Sequence, residues 1–209
     1  MDDPRRAEVL RLLDRYLVEV VETYELCPWA RPARLNGELA VDVLWGQPTL
    51  AQWVAAAEAL LGRRGVLVAM VIAPELTEPL TPIRNRVAAA IKTAGVADFH
   101  PDAAIDLATP ARLVPFLRKS PDPLLQLVPL ALLEAVRGAP PVVDLTNQAE
   151  ILAGQAAALR GDIADRIAAE THARVSADPA ALVMKLAELA ADRERSYARV
   201  GINVSRPRR

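Results

Sequence analysis

Cysteine is almost absent from this sequence: Cys27 is the only one in 209 residues. No intrachain disulfide can form, which excludes a secreted, disulfide-stapled scaffold. Long apolar runs are missing as well. The longest, Val66 to Ala73, falls far short of the ~20 residues that cross a bilayer. The first residues, Met1-Asp2-Asp3-Pro4-Arg5-Arg6, lead into an amphipathic stretch without the apolar block of a signal peptide. A cytoplasmic location with no membrane partner is the expectation. Charge of one sign is also lacking, since the net charge is −1, so no nucleic-acid partner is expected. The nine glycines form neither G-x-G-x-x-G nor a P-loop, which argues against a nucleotide held by those routes and leaves the cofactor unknown. Lysine is scarce, with Lys92, Lys119 and Lys185 against many arginines, a bias that fits a GC-rich genome.

What is present is the composition of a globular protein, 52% hydrophobic and 24% charged, with length for one good core and an appendage. Residues 6 to 26 place Val9, Leu10, Leu12, Leu13, Tyr16, Leu17, Val20 and Val21 at helical spacing. Pro28 disfavours helical geometry at Cys27 and is expected to end that helix. Leu39 to Trp45 alternates as a strand, Thr49 to Leu61 reads as a helix, and Val66 to Ala73 as a central strand apolar on both faces. Pro82 suits the first turn of a helix ending near Ala94 with Gly95 as its stop. Val96 to His100 and Leu124 to Val128 read as further strands. Pro110 to Leu117 and Leu130 to Val136 read as helices. The expected fold is therefore α/β, a four-stranded mainly parallel or mixed sheet flanked by helices.

From Pro140 the pattern turns to helices alone: Gln148 to Leu159, Ile163 to Val175, and a third capped by Asp178 and Pro179 with Leu182, Leu186 and Leu189 on one face. Residues 1–139 read as an α/β core domain and 140–209 as a helical C-terminal extension ending in a frayed basic tail.

Polar, proline-stiffened segments collect at the ends of apolar elements: Cys27-Pro28-Trp29-Ala30-Arg31-Pro32-Ala33-Arg34, Phe99-His100-Pro101-Asp102 and Arg118-Lys119-Ser120-Pro121-Asp122-Pro123. In order and spacing, CPWAxPAR, FHPD and RKSPDPLLQL resemble the bacterial family catalogued as domain of unknown function 1415, whose motifs run roughly CPFA…R, FHP and RSPxP with a leucine-rich continuation. The resemblance covers about residues 8 to 138. Lys119 is inserted between the arginine and serine of the third motif, and the helical tail lies outside the pattern. The resemblance implies a shared site without naming its chemistry.

His100, with Pro101 and Asp102 fixing its ring and raising its basicity, reads as a general acid/base or as a histidine packed at a strand end. Cys27 is a nucleophile with His100 as base, or a buried small hydrophobe; its place at a helix C-terminus opposes a thiolate. Arg31, Arg34 and Arg118 read as an anion pocket or as solvated surface arginines. Ser120 donates to a ligand or shapes a Ser-Pro turn. Cys27, His100, Asp98 and Asp102 lack the paired spacing of a zinc site, so no metal is expected. Two uses of this site stand side by side: an enzyme acting on a small anionic metabolite, and a non-catalytic small-anion-binding or regulatory module. A third reading is an interaction protein forming a homo-oligomer through its C-terminal helices.

Overall fold

A computed structural model describes residues 3–27, 30–103, 118–132 and 163–203. The helices expected at 110–117 and 148–159 lie outside the described residues, as do most of the one at 130–136 and the boundary at 139/140. Asp3 caps α1 (Pro4–Tyr16) by accepting from the Arg5 amide, with Pro4 in the first turn. The helix then widens into a π-helical segment, Leu17–Glu22. Beyond it come α2 (Ala30–Leu35), β1 (Leu39–Val43), α3 (Leu50–Leu61), β2 (Val68–Ile72), α4 (Leu80–Ala90) and β3 (Ala94–Phe99). The chain closes with β4 (Leu124–Pro129), α5 (Ile163–Ala177) and α6 (Pro179–Val200).

The sheet is four-stranded and mixed, in the order β1-β2-β4-β3, with β1 parallel to β2 and β4 antiparallel to both neighbours. The two apolar strands take the centre. β2 is buried at every residue and β4 nearly so at its start, while β1 and β3 are half-buried edges. Pleating divides the side chains between two layers of helix. Val68, Met70, Ile72 and Leu124 join the core under α1, α2 and α6. Ala69, Val71, Leu125 and Leu127 pack against α3 and α4 around fully buried Trp53. The stripe Leu182, Leu186 and Leu189 on α6 is buried in the same core as α1, so this chain covers it itself.

Local chemistry sets the ends of the elements. Thr49 and Gln52 close α3 with a reciprocal capping box. Asp178 caps α6 by accepting from the Ala181 amide. At the other end of α6, Gly201 at φ 75° lets the Ile202 amide reach back to the Tyr197 carbonyl at 3.0 Å. Ile202 is buried, so the tail packs two residues past the helix and is not frayed there.

Two expected stops differ. Gly95 does not end α4; it lies inside β3 opposite Val128, and the helix ends where Ile91 turns extended. The first helix is stopped not at Pro28 but earlier, at Glu25, which adopts φ 47°. There the Leu26 amide donates to the Val21 carbonyl at 2.8 Å and the Glu25 amide to the Glu22 carbonyl at 3.2 Å. Those two bonds define a Schellman turn, and Leu26 packs against the core that holds Val21. A side chain in left-handed geometry costs about 1 kcal/mol. Glu25→Gly is accordingly expected to raise the thermal midpoint. The Arg174 ion pair it removes is exposed on both sides and contributes little. A lower midpoint in thermal unfolding would contradict the assignment of strain.

Among the described residues, no helix is long and apolar enough to cross a membrane.

Candidate functional site

The second and third motifs meet at the carboxyl end of β3. The His100 amide donates to the Arg118 carbonyl at 2.9 Å. Lys119 Nζ donates to the Pro101 carbonyl and, at 3.3 Å, to that of Ala103. Lys119 thus ties the turn after His100 to the loop before β4. The antiparallel entry of β4 brings these loops to one end, because β3 finishes where β4 begins, Phe99 opposite Leu124.

The His100 ring is held differently from expectation. Its Nδ1 accepts the backbone N–H of Asp102 at 3.1 Å, whereas the Asp102 carboxylate lies 3.6 Å away and half in solvent. A neutral ring accepting at Nδ1 carries its proton on Nε2, where it donates and is not poised to act as a base. Burial lowers the His100 pKa below 6.5; Asp102 and Asp98 pull it up, and Arg193 and Lys119 push it further down. Asp102 thus makes the ring more basic, as its place in the motif suggested, but burial outweighs it and the net shift is downward. With a folded pKa below the unfolded 6.5, the contribution of His100 to stability is complete above that pH. It is lost as pH falls from 6.5 to the folded midpoint. An NMR titration of the ring is expected to show a midpoint under 6.5, and one above it would restore the carboxylate as the governing partner.

The third motif is built into the scaffold. The Ser120 hydroxyl, buried, donates to the Asp122 carbonyl at 2.6 Å, so it shapes its own turn. Asp122, 3% exposed, accepts from Arg193 Nε at 2.7 Å and from the Tyr197 hydroxyl. Arg193 also donates to the Pro74 carbonyl at 3.2 Å. A buried ion pair thus pins α6 to the loop entering β4 and to the loop leaving β2. Beside it, Glu75 accepts from the amides of Gly46 and Asn203. Polar groups of the chain itself occupy this part of the strand ends.

An open space lies instead between the helical layer and the sheet. The Schellman turn at Glu25 folds Leu26 and Cys27 back beneath the π-helical segment. There, with Ala30 and Ala33 of α2, they roof a cavity of about 230 Å³. Its floor is Leu39, Val68, Met70, Leu124 and Gln126, and Phe99 and Arg118 bound it on the β3 side. The small alanines leave the space that larger side chains would fill. The helical wall is Tyr16, Leu17 and Val21, so the π-helical segment faces the cavity; such segments are frequent at functional sites.

Few polar groups line this cavity, and each is notable. Tyr16 is 2% exposed, and its hydroxyl has no hydrogen-bond partner among the described residues. Burial, with Cys27 adding to it, raises the Tyr16 pKa far above that of a free phenol, so the group is a neutral donor. Gln126 sets an amide on the floor of a central strand. Arg118 shares Asp98 with Arg84, at 3.4 and 3.5 Å, so two guanidiniums face one carboxylate and positive charge remains.

The three arginines fall into three settings rather than one pocket. Arg118 borders the cavity. Arg34 is held in a two-pronged pair by Glu22, Nε at 2.6 Å and Nη2 at 3.0 Å, which keeps that carboxyl below its ordinary range. Arg31 lines an outer groove with Glu22, Glu25, Glu170 and Arg174. Cys27 forms part of both walls. Cys27 and Arg118 thus share a cavity, whereas His100 is not among its described lining residues, although its neighbour Phe99 is. Among the described residues, no three of histidine, cysteine, aspartate and glutamate gather as metal ligands.

Sequence reasoning missed Tyr16, hidden in a helical apolar stripe, and the long-range pair of Asp122 with Arg193. Gln126 did leave a signal, as the one polar residue in Leu124-Leu125-Gln126-Leu127-Val128. Compared with known proteins, the chain matches no family model, and no curated protein or solved structure is significantly similar to it.

Proposed function

We propose that this is a cytosolic protein that binds a small amphipathic anion between its helical layer and its sheet. The ligand would have an apolar body, a hydrogen-bond acceptor for Tyr16 and an anionic group for Arg118. The observation that carries this reading is the unpartnered Tyr16 hydroxyl in the wall of an apolar cavity. A buried donor left without a partner costs about 1–3 kcal/mol, a cost a ligand oxygen would remove. Cavities of about 150 Å³ accept benzene, so a volume of about 230 Å³ suits one ring with a short acidic chain, or a medium-length acyl chain. The kinship with domain of unknown function 1415 belongs to the same proposal: two of its three motifs supply Cys27 and Arg118, and the other places Phe99.

Isothermal titration with 3-phenylpropanoate and octanoate tests it. Binding is expected in the intact protein. A loss of about tenfold to a hundredfold is expected in Arg118→Ala, since hydrogen bonds to charged groups contribute about 1.5–3 kcal/mol. His100→Ala is expected to bind as the parent does. Heat silent for both ligands at millimolar concentration would sink the proposal. Loss of binding in His100→Ala would favour the enzyme reading, with the imidazole in the site and acting on the anion.

A further inference from the structure

We propose that Cys27 adds covalently to α,β-unsaturated carbonyl compounds held in the cavity, with Tyr16 as the hydrogen-bond donor to their carbonyl oxygen. The inference rests on the ligand pocket proposed above and goes beyond it to a reaction. Two independent observations meet. The sole cysteine lies in the wall of an apolar cavity, where a soft thiol selects soft, apolar electrophiles. A second side chain lining the same cavity, Tyr16, is almost wholly buried and its hydroxyl is unpartnered among the described residues.

The two groups suit one reaction. The Cys27 Sγ forms a bond to the β-carbon, and the carbon–carbon π bond breaks. Its electron pair shifts toward the carbonyl oxygen, where charge develops. The Tyr16 O–H donates to that oxygen. In an apolar wall such a donor is worth far more than in water and needs no reorganisation. The thiol proton finishes on the α-carbon as the carbonyl is restored, so atoms balance and no oxidant, reductant or further reactant is needed. Because the phenol resists ionisation, Tyr16 remains a donor throughout. The opposing effect of the helix C-terminus is weakened, since the Schellman turn pairs the carbonyls of Val21 and Glu22.

The test is intact-mass analysis and peptide mapping after exposure to trans-2-octenal. One adduct per chain is expected, mapped to Cys27 and absent in Cys27→Ser. In Tyr16→Phe the rate of addition should fall by about tenfold or more, as for loss of one oxyanion donor. Iodoacetamide, which reacts by displacement at a saturated carbon, should alkylate both proteins within about twofold of each other. An adduct that persists in Cys27→Ser, or a Tyr16→Phe rate equal to that of the parent, overturns the proposal. Saturated octanoate separates the two ideas. If octanoate binds and octenal does not add, covalent capture alone fails; if neither interacts, the pocket fails with it.

Discussion

Asp122→Ala is expected to lower the free energy of unfolding by about 3–5 kcal/mol, the cost of leaving one partner of a buried ion pair without the other. Among the described residues, Arg193, 8% exposed, would keep its charge inside the protein against the Pro74 carbonyl and the Tyr197 ring 5.0 Å away. The Tyr197 hydroxyl, also buried, would lose its acceptor. The change should release α6 from the loops at the strand ends. The pair itself is not expected to add net stability. Combining Asp122→Leu with Arg193→Met should therefore recover most of the loss, because an apolar replacement removes both desolvation costs together. Urea unfolding of the three proteins measures this. A loss under about 1 kcal/mol in Asp122→Ala would place the pair in the range of surface bridges and contradict its role as the clamp of α6.

The second large effect runs in the opposite direction. Tyr16→Phe is expected to stabilise the ligand-free protein, by about 1–2 kcal/mol, because it removes a buried donor that no described residue satisfies and keeps the ring that packs. The same change should weaken ligand binding by about tenfold, the worth of one hydrogen bond in an apolar site. Stability gained and affinity lost by one oxygen atom is the signature of a group kept for function. Thermal unfolding without ligand, paired with titration, reads both. A Tyr16→Phe protein that is less stable than its parent would mean that the hydroxyl is satisfied after all.

Much of the fold is written locally. The capping box of Thr49 and Gln52, the Asp178-Pro179 start of α6 and the continuous apolar run of β2 each act within a few residues, so their elements are legible in the sequence. The placing of β4 between β2 and β3 is not, because it depends on which strands must be buried on both faces. The helix stop at Glu25 was obscured by Pro28. Proline is the louder breaker, yet the Schellman bonds close three residues before it, at a residue whose type does not favour the geometry. Gly95 misled in the same way, as a turn residue placed inside an edge strand.

The site was legible in part, and for a physical reason. Polar loops stiffened by proline stand out along the chain, and two of them do meet, through the His100 amide and Lys119. What charges do once the chain has folded is not local. Arg34 reads as a ligand for anions until Glu22, twelve residues before it, closes on it. Asp102 reads as a carboxylate partner for His100, yet its shorter contact with the ring is through the backbone amide, at 3.1 Å against 3.6 Å for the carboxylate. Asp122 and Arg193 are 71 residues apart, and no short-range pattern links them. The cavity is least visible of all, since small residues such as Ala30 and Ala33 create it by what they leave unfilled.

A crystal structure of the protein with 3-phenylpropanoate would test the pocket most directly. The expected result is ligand density between the π-helical segment and the sheet, the ring over Met70 and Leu124, and an oxygen within hydrogen-bond distance of the Tyr16 hydroxyl. A cavity collapsed around Tyr16, or ligand bound elsewhere while that space stays empty, would contradict the assignment of this site.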